Sequence, residues 1–217
     1  IRMPHKNKRG QYDNWSATAL PWMSIGYETQ VPPISTLAFY NAIANNGKMM
    51  RPRFVKQIIK NGEVIADYPP EVLKKQIAKE TTITQIRRIL TEVVSEGLGK
   101  KAGSDKFAVA GKTGTAQMSK GALGYKAGGV NYLLSFAGFF PADKPKYSCI
   151  VCIQKTGLPA SGGGMSGVVF HHIAEGIMAQ DLKLSVTDAR NQSSILIPSA
   201  KTGNILAADY VLNALGY

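Results

Sequence analysis

Val109-Ala110-Gly111-Lys112-Thr113-Gly114-Thr115-Ala116-Gln117 is the stretch of this 217-residue sequence that decides its reading. Residues 107–117 are rich in small residues and read as a strand. The run Gly111-Lys112-Thr113 first suggests a phosphate-binding loop. That pattern, G-x-x-x-x-G-K-[ST], requires glycine five residues before Gly111. Position 106 is Lys106, so the pattern fails. Lys-Thr-Gly remains, and it occurs three times: Lys112-Thr113-Gly114, Lys155-Thr156-Gly157 and Lys201-Thr202-Gly203. Only the first has neighbours (Ala108, Ala110, Gly111, Ala116) small enough for another backbone to lie alongside. An edge strand of this kind can pair with an extended ligand. Its Lys ammonium and Thr hydroxyls can hold a carboxylate, and a strand N–H can donate to an oxyanion. The plainer alternative is a glycine-containing edge strand with a surface lysine.

Moving downstream, the apolar runs 132–140 and 146–154 flank Pro141-Ala142-Asp143-Lys144-Pro145, which predicts an antiparallel hairpin. Residues 119–129 read as a polar, glycine-rich loop. Gly162-Gly163-Gly164 reads as a strand-to-helix connection or a flexible rim, and 168–178 as a helix. Upstream, Ile83, Ile86, Ile89, Leu90, Val93 and Val94 recur at three and four, with capping-box spacing between Thr82 and Gln85 and a stop at Gly97. Asn61-Gly62 predicts a hairpin over 53–68. Pro32-Pro33 opens a further helix that Asn46-Gly47 ends. Helices, then three strands with short links, then a helix imply an α+β fold: an antiparallel sheet with a covering helix.

Composition narrows the class. Lys+Arg 26 against Asp+Glu 14 gives +12. The basic residues are dispersed and no nucleic-acid-binding signature accompanies them, so nucleic acid is not an expected partner. With 44% hydrophobic residues the chain can build a core. No run reaches the ~18 apolar residues of a membrane span, and no apolar leader follows Ile1.

Four motifs in order carry a resemblance. The 109–117 stretch resembles the third active-site motif of class B penicillin-binding proteins. Leu90-Thr91-Glu92-Val93-Val94-Ser95-Glu96-Gly97-Leu98-Gly99-Lys100-Lys101-Ala102 resembles the segment preceding it in that family. Ser135-Phe136-Ala137-Gly138-Phe139-Phe140-Pro141-Ala142-Asp143-Lys144-Pro145 resembles the strand and turn that follow it. Ile25-Gly26-Tyr27 and Ala44-Asn45-Asn46-Gly47 match further upstream. The resemblance spans roughly 20–180 and points to the division-type peptidoglycan D,D-transpeptidases. It implies the C-terminal portion of a β-lactamase-like transpeptidase domain over 1–184 and a linker over 185–196. The tail 197–217, with Ile197-Pro198, Gly203, Ala207-Ala208, Val211-Leu212 and Leu215-Gly216-Tyr217, resembles the first half of a PASTA repeat.

What the resemblance implies for function is a serine acyl transfer without metal or cofactor. Lys112 is the catalytic contribution, beside the nucleophile. Thr113, Gly114 and Thr115 bind substrate, the Thr hydroxyls gripping a carboxylate and the Thr115 N–H serving as half of an oxyanion hole. Partners would be peptidoglycan stem peptides, β-lactams and divisome proteins. The location would be the extracytoplasmic (periplasmic) side of the cytoplasmic membrane, under an N-terminal anchor. A β-lactamase-like or muropeptide-sensing domain is the alternative. No serine here has lysine three residues on, and no Ser-x-Asn occurs. The expectation is a piece of a longer enzyme, inactive alone and prone to self-association.

Other features are weaker. Cys149-Ile150-Val151-Cys152 lies in a strand, where positions three apart face opposite sides, so two buried thiols are expected rather than a metal site. His171-His172 project ~100° apart on a helix, which disfavours a shared ligand. Trp15, Trp22 and Tyr27 read as packing aromatics or as a groove lining.

Overall fold

The computed structural model describes residues 5–13, 18–119, 124–125 and 128–191, without the side chains of 5–6, 12–13 and 182–191. The chain divides into two compact units, 1–175 and 176–217. In the first, β1 (His5–Lys6) pairs with β2 (Tyr12–Asp13), and α1 (Ala19–Ser24) and α2 (Pro33–Ala44) follow. Pro33 opens α2, and Asn46 and Gly47, both at positive φ, turn the chain out of it. β3 (Met49–Met50) pairs with β6 (Val72–Lys74), and the expected hairpin is β4 (Gln57–Lys60) with β5 (Glu63–Asp67). Its turn residues Asn61 and Gly62 both take positive φ, as a type I′ turn requires.

α3 (Glu80–Ser95) carries the predicted apolar stripe, burying Ile83, Leu90 and Val94. The capping box does not form. The helix starts two residues before Thr82, with Lys79 as N-cap and no side-chain cap bond. The entering chain is already fixed there, since Ile77 N–H donates to Gly47 O at 2.9 Å. Glu80 places a negative charge in the first turn, which the helix dipole favours.

The central sheet has the order β7 (Ala110–Met118), β8 (Asn131–Phe140), β9 (Tyr147–Thr156), antiparallel throughout and without register shifts. Lys112 stands opposite Ala137, Gly114 opposite Ser135 and Thr115 opposite Leu134. The period of two then sorts the faces. Ala110, Lys112, Gly114, Ala137 and Phe139 share one face. Against it α3 lies on β7 and α2 on β8 and β9, and Phe139 joins Ile43, Leu90, Ala110 and Ala142 in a buried cluster. Gly111, Thr113, Thr115, Phe136 and Phe140 share the other face, covered by a π-helical turn, Gly162–Ser166, and by Phe170 at the start of α4 (Gly167–Asn191). Phe136 and Phe140 meet Phe170 of α4 at ring-centroid distances of 4.6 and 5.6 Å. Phe136, Phe139, Phe140 and Phe170 are fully buried. Each such ring contributes roughly 1.5–3 kcal/mol of transfer free energy.

Two expectations need correction. α4 runs through Asn191, well past the end expected for it at 178. The reason is legible afterwards, because 177–191 contains neither glycine nor proline to stop it. Cys149 is half-buried but Cys152 is exposed. β9 is the outer strand of the sheet among the described residues, so the face carrying Cys152 is incompletely covered there. Burial still pushes both thiols above their ordinary pKa. Trp15, residues 120–123 and 126–127 of the expected loop, and the PASTA-like segment 197–217 with Lys201-Thr202-Gly203 lie outside the described residues. No helix among the described residues is long and apolar enough to cross a membrane.

Candidate active site

Among the described residues, β7 presents the first Lys-Thr-Gly at an outer edge of the sheet, since β8 is its neighbour on one side only. Lys112 is exposed, and its Nζ donates to Thr113 O at 3.0 Å and to Thr113 Oγ1 at 3.4 Å. The ammonium therefore reaches from its own face of the strand round to the edge, where it meets the hydroxyl of the opposite face. Gln117 N–H donates to Tyr27 Oη at 3.0 Å, so this amide points away from β8. In a regular antiparallel strand the N–H and C=O of alternate residues point the same way. The amides of Thr113 and Thr115 thus face the same open edge as that of Gln117, and the Lys112 contact to Thr113 O agrees.

The glycine-rich turn lies beneath this edge. Gly162 N–H donates to Thr115 Oγ1 at 3.1 Å, and Ser161 Oγ accepts from Gly164 N–H at 2.9 Å. A Cβ on Gly162 would collide with the Gly114 carbonyl, and one on Gly163 with the Leu98 carbonyl. The triplet is the expected strand-to-helix connection, between β9 and α4, and it also packs closely against the strand that carries the lysine. The signal was in the sequence as three consecutive glycines, yet nothing there says which backbone they approach.

The other lysine motif is placed differently. Lys155 lies next to the end of β9, and its Nζ donates to Thr156 O and Gly157 O at 3.3 and 3.4 Å, closing on its own backbone. His171 Nδ1 lies 2.7 Å from Gly103 O, an acceptor, so that nitrogen carries the proton and pins α4 to the loop after α3. His171 and His172 rings meet edge to face at 5.3 Å. Next to them Lys106 Nζ and Ser104 Oγ both donate to Glu175, at 2.9 and 2.8 Å. The lysine, then the serine, hold the Glu175 carboxyl below its usual range. No group of three His, Cys, Asp or Glu among the described residues could hold a metal ion.

The family model described as penicillin-binding protein transpeptidase domain matches residues 3–175. The chain belongs to the penicillin-binding protein transpeptidase-domain family. Among its relatives, penicillin-binding protein PbpB of Mycolicibacterium smegmatis is 31% identical over 176 residues, which is 76% of this chain and 27% of that protein. Stage V sporulation protein D of Bacillus subtilis is 34% identical over 172 residues, 78% of this chain and 26% of that protein. The chain thus spans about a quarter of the length of these curated relatives. Penicillin-binding protein 3 of Mycobacterium tuberculosis, solved in complex with aztreonam, superimposes with a TM-score of 0.64 at 29% identity, over 77% of this chain and 39% of that one. The α+β transpeptidase fold expected from the sequence is the family's fold.

Proposed function

We propose that this chain forms the Lys-Thr-Gly wall of a serine D,D-transpeptidase, which cross-links peptidoglycan stem peptides and is acylated by β-lactams. The observation that carries the reading is the edge of β7, where the Lys112 ammonium meets the Thr113 hydroxyl and the Thr115 N–H points the same way as the Gln117 N–H, away from β8. In this reading a serine supplied by polypeptide preceding residue 1 attacks the carbonyl of a D-Ala–D-Ala bond. The Thr115 N–H donates to the oxyanion that forms. Expulsion of the terminal D-Ala leaves an acyl-enzyme, which the amine of a second stem peptide resolves. Lys112 supplies positive charge beside the nucleophile. The Thr115 hydroxyl accepts from Gly162 N–H and keeps its own proton to donate to a carboxylate.

Further parts of the reading rest on less. We assign 1–184 to the transpeptidase portion, 185–196 to a connection and 197–217 to a PASTA-like start, on sequence pattern alone. Peptidoglycan cross-linking requires an extracytoplasmic, membrane-tethered location, and divisome proteins are the proposed partners. Self-association is supported by exposed apolar side chains such as Phe54 at 90%, Leu98 at 84% and Ile59 at 61% exposure.

Intact mass after incubation with a penicillin tests the reading. A protein extended upstream to include a Ser-x-x-Lys segment gains one adduct, and the 217 residues alone gain none. No adduct on the extended protein would overturn the function. A stoichiometric adduct on the 217 residues would overturn the role given to an upstream serine.

A further inference from the structure

We infer that Tyr27 is a positioning residue that closes the ligand-binding edge of β7 after Thr115 and so sets the register of any extended peptide added there. The inference rests on the transpeptidase reading for the identity of the ligand, but its structural half stands without it. Along the free edge the strand offers the amides of Thr113, Thr115 and Gln117 in turn. The third is taken, because Tyr27 Oη accepts the Gln117 N–H at 3.0 Å. A peptide pairing with β7 therefore finds two open rungs, at Thr113 and Thr115, and meets the phenol where the next rung would be.

The phenol is held in place from both sequence directions. The backbone of Tyr27 is fixed at the end of α1, its N–H donating to Trp22 O at 3.0 Å, and Gly26 takes φ 92° to make that turn. The ring meets Trp22 edge to face at 5.4 Å and Tyr125 at 6.3 Å. Trp22 and Tyr125 remain 45% and 42% exposed, so the closed end of the edge is also an aromatic one. A ligand that overran Thr115 would have to displace the Tyr27 hydroxyl without gaining a free ladder bond. The expected ligand is a short peptide end of the D-Ala–D-Ala class, paired over two rungs, rather than a long extended strand.

Amide-resolved NMR on the whole chain tests this, comparing wild type with Tyr27→Phe. That change removes the acceptor and keeps the ring against Trp22; unchanged Trp22 resonances verify that the variant is folded. Without ligand, the Gln117 amide of the wild type exchanges with solvent about tenfold more slowly than those of Thr113 and Thr115, the effect of one net hydrogen bond, and Tyr27→Phe removes the difference. With a peptide ending in D-Ala–D-Ala, wild-type shifts appear at Thr113 and Thr115 and stop before Gln117, whereas in Tyr27→Phe they extend to Gln117. Equal exchange at all three wild-type amides, or a wild-type footprint that includes Gln117, overturns the inference while leaving the transpeptidase reading intact. A slow Gln117 amide with no peptide shift at any rung counts instead against that reading, and removes the proposed register with it.

Discussion

Gly162 N–H donates to Thr115 Oγ1 at 3.1 Å, joining a π-helical turn to the strand 47 residues before it. The bond makes the wall of the site a two-layer object. β7 supplies the ammonium, hydroxyl and amide groups, and the turn before α4 fixes the height and tilt of the strand that presents them. The same turn lies against the loop after α3, through the contact of Gly163 with Leu98 O.

Gly162→Ala should therefore act on function through position. Its Cβ would strike the Gly114 carbonyl, a backbone atom that cannot rotate away. We expect a loss of about 1–3 kcal/mol in stability, the usual cost of overpacking. β-Lactam acylation of the serine-bearing protein should fall more steeply than that, because β7 shifts. Urea unfolding and acylation rates measured on the same preparation check this. Unchanged acylation with wild-type stability would show that the turn yields without moving the strand.

Lys112→Ala should separate the opposite way. The side chain is exposed and bonds to the neighbouring Thr113, so folding stability should change by less than about 0.5 kcal/mol. Removing a cation aimed at developing charge should slow acylation by about 10²-fold or more. Lys155→Ala, which removes a lysine closed on its own backbone, should leave acylation unchanged. The rate of labelling by a fluorescent penicillin on the extended protein distinguishes the two lysines.

Most of the sheet was legible in the sequence because its signals are local. The two apolar runs and the Pro141–Pro145 connection give β8 and β9, and Asn61-Gly62 gives the β4–β5 turn. The small neighbours of the first Lys-Thr-Gly singled it out from the other two, and the structure places it on β7. What could not be read was which distant groups meet. Tyr27 sits 90 residues before the amide it binds. Nothing periodic marks Gly162 as the partner of Thr115. The capping-box spacing at Thr82 was a true local pattern, overridden by the tertiary bond from Ile77 to Gly47 that starts the helix earlier. The end of α4 was missed for a different reason: the expected helix over 168–178 continues to Asn191 because 177–191 lacks the residues that break helices.

Glu175 gives a pH prediction with a definite sign. Lys106 and Ser104 hold its folded pKa below the ordinary carboxylate value. A carboxyl depressed on folding stabilises the protein above its unfolded pKa, and that contribution is lost as pH falls through the folded one. Thermal unfolding of wild type and Glu175→Gln should differ most near neutral pH, and the difference should close as pH drops from 5 to about 3. The partners are solvent-exposed enough for salt to screen them, so 1 M NaCl should shrink the neutral-pH difference as well. A difference that widened in acid would reverse the assignment.

Arg87 should show that charge alone cannot replace shape. One guanidinium nitrogen donates to Asn46 Oδ1 at 2.8 Å, and the other donates to the carbonyls of Ala142 and Asp143 at 3.2 Å each. The planar fork thus ties α3 to the turn after α2 and to the loop between β8 and β9, the two segments that close the buried cluster around Phe139. An ammonium has the charge but not the divergent geometry. Arg87→Lys should consequently lose about 1–2 kcal/mol, close to the loss for Arg87→Ala, because each leaves carbonyls beside the core without their donor. Chemical denaturation of both variants measures the gap. If Arg87→Lys kept wild-type stability, the fork would be dispensable and the attachment of α3 would reside in its apolar stripe alone.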